Sequence, residues 1–203
     1  MKVAVVGATG NAGSCIVREL VSRGHAVTAI ARHAEKAAGP GVTAVSLDAS
    51  DGDALSAALQ GHDAVISALR FIYTDAAALI AAVKRSGVKR YAVVGGASSL
   101  YMPGTTTRVI EGPQFPDKVN SEPGRGGHFL ELLQQEKELD WVFLSPSMLF
   151  SGTERTGQFR LGKDELLVGA DGKSAISFPD YAIAMVDEIE TPRHHRERFT
   201  VGY

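Results

Sequence analysis

Three glycines spaced three apart, Gly7, Gly10 and Gly13, stand in the run Val3-Ala4-Val5-Val6-Gly7-Ala8-Thr9-Gly10-Asn11-Ala12-Gly13. An apolar β-pattern precedes them and a helical pattern follows. Residues of this kind in this order bring bare backbone against a pyrophosphate. Gly7 takes the tight turn that leaves a strand. Gly10 lacks the Cβ that would keep phosphates away, and Gly13 lets the helix lie close to the sheet. The N–H groups at the helix start, with the positive end of its dipole, then face the anion. The whole segment Gly7, Ala8, Thr9, Gly10, Asn11, Ala12, Gly13 is therefore the candidate diphosphate cradle. Glycine spacing alone is a weak signal; its place between a strand and a helix strengthens it.

The residues that would complete such a site follow later strands. In dinucleotide-binding sheets the end of the second strand distinguishes the cofactors: an acid bonds the ribose 2′-hydroxyl of NAD, and an arginine accommodates the 2′-phosphate of NADP. Here Ala29-Ile30 runs into Ala31-Arg32-His33, and the first acid is Glu35. Arg32 offers a fixed cationic fork suited to phosphate. NADP(H) is favoured, with NAD(H) still open, since Arg32 as a surface arginine or stacked on adenine is the other reading. Asp48 and Ala49 would hold the adenine edge. Ser67, Ala68 and Leu69 would let the cofactor lie against backbone. Gly95, Gly96 and Ala97 point toward the nicotinamide, and Pro146 and Ser147 follow the sixth strand at the same edge. Ser98 is the best-placed hydroxyl for catalysis, with a turn or cap serine as the alternative. Tyr101 lines the acceptor site or packs its loop. Lys118 and His128 read as solvated side chains more readily than as site groups. His194 and His195 read as a solvated turn.

The elements that must position these residues alternate. The pattern predicts a helix over Asn11–Arg23 ended by Gly24, and strands at His25–Ile30 and Val42–Leu47. A helix over Asp51–Leu59 follows, capped by Ser50 or Asp51, then a strand at Ala64–Ser67. An alanine-rich helix spans Asp75–Arg85, and the fifth strand is Val88–Gly95. Tyr101–Gly127 is irregular, and a segment this long without periodicity is mobile or functional. A helix is expected from Gly127 to Glu138, a sixth strand at Trp141–Leu144, and short β-pieces between Gly152 and Gly172. Ser177 and Asp180 have capping-box spacing with Pro179 in the first turn, which starts a helix reaching about Ile189. Arg198–Val201 is a last strand. This β-α alternation implies an α/β, Rossmann-like, doubly wound parallel sheet. Residues 1–203 read as one domain, with 147–180 contributing a small C-terminal, substrate-side lobe.

Bulk composition excludes several classes. The 203 residues are 44% hydrophobic and 22% charged, with a net charge of −2. That fits a globular chain with no basic surplus for nucleic acid or an acidic membrane surface. No apolar run approaches a membrane span. The single cysteine, Cys15, has no partner for a disulfide and reads as a small core residue. A cytoplasmic location, a small-molecule acceptor, a monomer or homodimer, and no metal site are the corresponding expectations.

With these residues assembled, the chain resembles the atypical short-chain dehydrogenase/reductase superfamily, and within it the NmrA-like NAD(P)-binding group associated with NADH-flavin reductases. The likeness covers nearly the whole chain. Beyond the glycine loop it is carried by Gly61-His62-Asp63-Ala64-Val65-Ile66-Ser67-Ala68, by Ser177-Phe178-Pro179-Asp180-Tyr181-Ala182-Ile183-Ala184, and by Arg198-Phe199-Thr200-Val201-Gly202-Tyr203. The resemblance implies a Rossmann fold and an NAD(P)H-dependent oxidoreductase. One feature departs from the superfamily: no tyrosine is followed four residues later by lysine. The proton-donating pair of alcohol dehydrogenase chemistry is missing. Reduction of a flavin, quinone or similar planar acceptor tolerates that loss, because the cofactor carries the hard chemistry. A dinucleotide-sensing regulator without turnover is the alternative.

Overall fold

A computed structural model describes residues 1–203. In chain order the elements are β1 (Lys2–Val6), α1 (Asn11–Ser22), β2 (Ala26–Ala31), β3 (Val42–Ser46), α2 (Gly52–Leu59), β4 (Ala64–Ser67), α3 (Ala76–Arg85) and β5 (Arg90–Val94). They continue with α4 (Glu122–Gln135), β6 (Asp140–Ser145), β7 (Leu149–Phe150), β8 (Arg160–Gly162), β9 (Ala175–Ile176), α5 (Phe178–Glu190) and β10 (Glu197–Gly202). The main sheet has the order β3-β2-β1-β4-β5-β6-β10-β8. All its pairings are parallel except that of β10 with β8. β7 and β9 form a separate parallel pair. The expected doubly wound α/β sheet is therefore the observed architecture, with an antiparallel edge.

Strand side chains alternate between two cores, as the period of two requires. Val3 and Val5 join a cluster with Ile16 and Leu20 of α1 and Tyr181, Met185 and Ile189 of α5. Ala4 and Val6 face the other way, toward Leu55 and Leu59 of α2, Val83 of α3 and Phe129 and Leu133 of α4. Cys15 is buried in the first cluster, as its helical position predicts.

Local chemistry sets the helix limits. Asp51 and Asp75 cap α2 and α3 by accepting the N–H groups of Ala54 and Ala78, and Ser177 caps α5 by accepting that of Asp180. Gly24 and Gly87 take positive φ just past α1 and α3. The fourth helix corrects the expected start at Gly127. Ser121 caps it, Pro123 sits in its first turn, and it runs from Glu122. Its early glycines are demanded by packing rather than by a turn: a Cβ at Gly124 would lie 2.4 Å from the Lys118 carbonyl oxygen, and one at Gly126 2.9 Å from the Phe71 ring.

The expected solvated turn at His194 is also corrected. His194 stacks on Phe199 with centroids 4.0 Å apart, and its Nδ1 lies 2.8 Å from Glu188. Glu188 in turn pairs with Arg90 at 2.6 Å, with both side chains buried. Asp140 completes the network at 3.1 Å from Arg90. His195 remains exposed against Asp140. Arg90 opens β5 and Asp140 opens β6, so this network closes the N-terminal edge of the sheet, opposite the candidate site.

Candidate functional site

Because β1 to β6 are parallel, their C-terminal ends share one edge. The strand order reverses between β1 and β4, and a crevice opens outside that point in sheets of this kind. The candidate segments gather along this edge: Gly7–Gly13 after β1, Arg32 after β2, Asp48 and Ala49 after β3, and Ser67–Leu69 at the end of β4. Gly95–Ser98 follow β5, and Pro146 and Ser147 follow β6.

The glycine loop has the geometry its spacing predicts. Gly7 has φ +85° and donates its N–H to the Ile30 carbonyl at 2.9 Å. A Cβ there would lie 2.5 Å from the Ala68 oxygen, and one at Gly13 would lie 2.1 Å from the Gly7 oxygen. These two glycines are therefore fixed by packing. Gly10 differs: a Cβ on it would meet only the Gly7 oxygen at 3.4 Å and the Ala68 oxygen at 4.0 Å. Its outer side is open. The N–H groups of Asn11, Ala12 and Gly13 have no acceptor within the chain, and no acid in the first turn of α1 offsets the helix dipole. The result is a row of free donors behind a residue with no side chain.

At the end of β4 and just after β6, the hydroxyls of Ser67 and Ser147 are committed inside the protein. Ser67 Oγ bonds the Tyr91 hydroxyl at 2.9 Å, and Ser147 Oγ donates to the Val201 carbonyl at 3.1 Å. Gly95 is forced by β6, since a Cβ would lie 2.4 Å from the Phe143 ring. Arg32 is exposed and makes no hydrogen bond within the chain. The Asp48 carboxylate accepts the Ser50 N–H at 3.0 Å, and this bond, then the Ser50 hydroxyl and last the Arg32 charge, hold its pKa below the ordinary aspartate value.

The two catalytic candidates are not brought together. Ser98 is buried, and its hydroxyl donates to the Pro123 carbonyl at 2.8 Å. Tyr101 is 36% exposed and lies on a segment stitched to Asp164 and Leu166 by backbone bonds, outside the cleft that Ser98 lines.

A profile of the NAD(P)H-binding family matches residues 7–192. The chain belongs to the NAD(P)H-binding family. It is 40% identical over 210 residues to the uncharacterised protein YwnB of Bacillus subtilis, covering 99% of this chain and 98% of the relative. A Bacteroides thetaiotaomicron structure provisionally described as an epimerase superposes with a TM-score of 0.90 and 42% identity, covering 100% of this chain and 96% of that one. A Streptococcus pneumoniae structure provisionally described as an NADH-flavin reductase gives 0.86 and 35%, covering 100% and 99%.

The free amides and open face of Gly10 fit the diphosphate that this NAD(P)H-binding family accommodates. The tyrosines fit the missing Tyr-Lys pair. Tyr91 and Tyr181 are fully buried, and burial raises both phenols well above their ordinary range. Tyr181 donates to the Leu144 carbonyl at 2.6 Å. No group of three or more His, Cys, Asp or Glu side chains is placed to hold a metal. No helix is long and apolar enough to cross a membrane.

Sequence reading placed Ser145 only within the turn segment after the sixth strand and gave Asp180 no partners. Ser145, at the end of β6, is fully buried, and its hydroxyl has no partner. It is a buried side-chain donor left uncommitted on this edge, at a cost of about 1–3 kcal/mol if left so. Asp180, seen only as a capping-box residue, is fully buried and accepts the N–H groups of Thr156 and Gly157 at 2.9 Å and the Tyr203 hydroxyl at 2.7 Å. Together with the Arg155–Glu19 pair at 3.1 Å, it straps the 153–157 loop to α1 and α5, the helices backing the cradle. Burial pushes the Asp180 pKa up, but the bonds from Thr156, Gly157 and Tyr203 outweigh it and leave the value below 3.8. A carboxylate with a depressed folded-state pKa stabilises above its unfolded value and loses that contribution as pH falls through the folded value. Asp180→Asn is therefore expected to lower stability by about 2 kcal/mol at pH 7. In thermal melts the gap to wild type should close as the pH falls below the ordinary aspartate range. A gap that stays constant with pH would show that the charge of Asp180 contributes nothing.

Proposed function

We propose that the protein is an NADPH-preferring reductase that passes hydride to a flavin, quinone or similar planar acceptor. The observation that carries this reading is the strand-edge crevice: free amides of Asn11, Ala12 and Gly13 behind Gly10, with the unpaired Arg32 at the end of the neighbouring strand. In this reading Gly7–Gly13 hold the diphosphate, and Arg32 holds the 2′-phosphate. Asp48, Ala49, Ser67, Ala68 and Leu69 flank the adenosine half. Gly95, Gly96, Ala97, Pro146 and Ser147 form a backbone floor for the nicotinamide, which supplies the hydride when bound. Ser98 acts by fixing the start of α4 beside the acceptor rather than by giving up a proton. No side chain need do so, since a conjugated acceptor is protonated from water once hydride has been delivered. The Bacteroides relative's epimerase description fits less well, because the Tyr-x-x-x-Lys pair is absent and the tyrosines of the core are committed.

The test is NADPH oxidation by purified protein with a panel of flavins and quinones. Failure with every acceptor overturns the reductase reading. Arg32→Ala is expected to weaken NADPH about 10- to 100-fold, the value of one lost charge-assisted contact, and to leave NADH within about twofold. Equal losses for both in calorimetric titration would remove the phosphate role of Arg32. The commitment of hydroxyls at the edge also favours a second reading, a dinucleotide sensor without turnover. Tight NADPH binding with no oxidation in that same panel selects it.

A further inference from the structure

Beside Ser98 lies a cleft of about 420 Å³, between the turn after β5, the 108–120 segment and the first turns of α4. Ile110 and Val119 are its apolar residues, so it does not suit a planar ring. Its cations are Arg108, Lys118 and Arg125. Arg108 is neutralised by Glu111 at 3.3 Å, and His128 faces Glu131 at 3.6 Å. Lys118 and Arg125 are different. Both are exposed, and neither pairs with a carboxylate within 4.0 Å. Lys118 Nζ reaches only the Glu111 carbonyl, at 3.5 Å. Arg125 makes no side-chain hydrogen bond; the Asp117 carboxylate feels its charge but forms no ion pair with it, and turns Oδ1 to the N–H groups of Val119 and Asn120 at 2.9 and 2.8 Å.

We propose that this cleft receives the phosphate-bearing tail of the acceptor, and that Lys118 and Arg125 select phosphorylated acceptors over neutral ones. The inference rests on the reductase reading and names its substrate class. A phosphomonoester carries about −1.5 to −2 charge at neutral pH and three strong acceptor oxygens. An unpaired guanidinium and a nearly unpaired ammonium on one wall meet that need. The planar ring would then lie toward Gly96 and Ala97, over the nicotinamide, with its tail directed past Ser98.

The test compares FMN with riboflavin, which differ by the phosphate alone. The quantity read is the ratio of their kcat/KM values with NADPH. For wild type we expect a ratio of about ten or more, falling as ionic strength rises, and for Lys118→Glu/Arg125→Glu a ratio near one. Both side chains are exposed, so the double variant should melt with wild type. A wild-type ratio near one, or a ratio unchanged in the variant, overturns the proposal. Quenching of flavin fluorescence on binding separates the two readings if no acceptor is turned over. FMN binding weakened in the variant while riboflavin binding holds keeps the cleft and discards the reductase. Equal binding of the two flavins by wild type discards the cleft.

Discussion

Gly10→Ala is expected to fold as wild type does and to lose dinucleotide affinity by about 10- to 100-fold, the equivalent of 1–3 kcal/mol of overpacking at the contact. Gly10 has φ −73° and ψ 170°, a conformation alanine adopts freely, and its Cβ would meet no protein atom closer than 3.4 Å. What the new methyl would meet is the anion. Gly13→Ala provides the contrast. Its Cβ would be forced to 2.1 Å from the Gly7 oxygen, so α1 must move off the sheet, and stability itself should fall. Thermal melts and calorimetric titration with NADPH on the two variants separate a ligand-contact glycine from a packing glycine. Unaltered affinity in a well-folded Gly10→Ala would show that the diphosphate does not lie against this turn.

Glu188→Ala should cost about 3–5 kcal/mol, the range for breaking a buried ion pair on one side, and lower the melting temperature by about 10 °C. Its removal leaves the buried Arg90 guanidinium, whose Nε already lacks a partner, with the part-exposed Asp140 as its remaining counter-charge, and leaves His194 Nδ1 and the N–H groups of Arg193 and His194 without an acceptor. The damage lies at the N-terminal edge of the sheet. Below the melting transition, NADPH affinity should stay within about twofold of wild type, since separated sites act independently. Arg90→Met in the same chain should recover part of the loss by removing a buried charge that has lost its buried partner. A variant that melts with wild type would show that the network contributes no net stability.

The glycine loop and the strand alternation were legible because each signal is local. Gly7 needs a positive φ, Gly13 needs contact with Gly7, and both constraints act within seven residues. The caps at Asp51 and Ser177 were legible for the same reason. The start of α4 was not. Pro123-Gly124-Arg125-Gly126-Gly127 has the composition of a loop, and it is helical because Phe71 and the Lys118 backbone leave no room for side chains at Gly124 and Gly126. Nothing within the window records those distant neighbours. His194 and Asp180 were hidden similarly: their partners Glu188, Phe199, Thr156 and Tyr203 come together only through the fold. At the candidate site, sequence reading found the edge but not the direction of its hydroxyls, so the bond from Ser98 to Pro123 and the unpartnered Ser145 became visible only in three dimensions.

The seating of α1 against α5 bears on how the chain acquires its shape. Arg23, at the C-cap of α1, bonds Asp187 and Glu190 on α5, partners 164 and 167 positions away, and Ile16 and Leu20 share a cluster with Tyr181, Met185 and Ile189. During synthesis from the amino end, the nascent β1–α1–β2 unit would carry a greasy, uncovered surface until residues 178–190 emerge. Contacts this remote in sequence slow folding and lengthen exposure to aggregation. The glycine loop thus emerges well before α5, which covers the helix behind it.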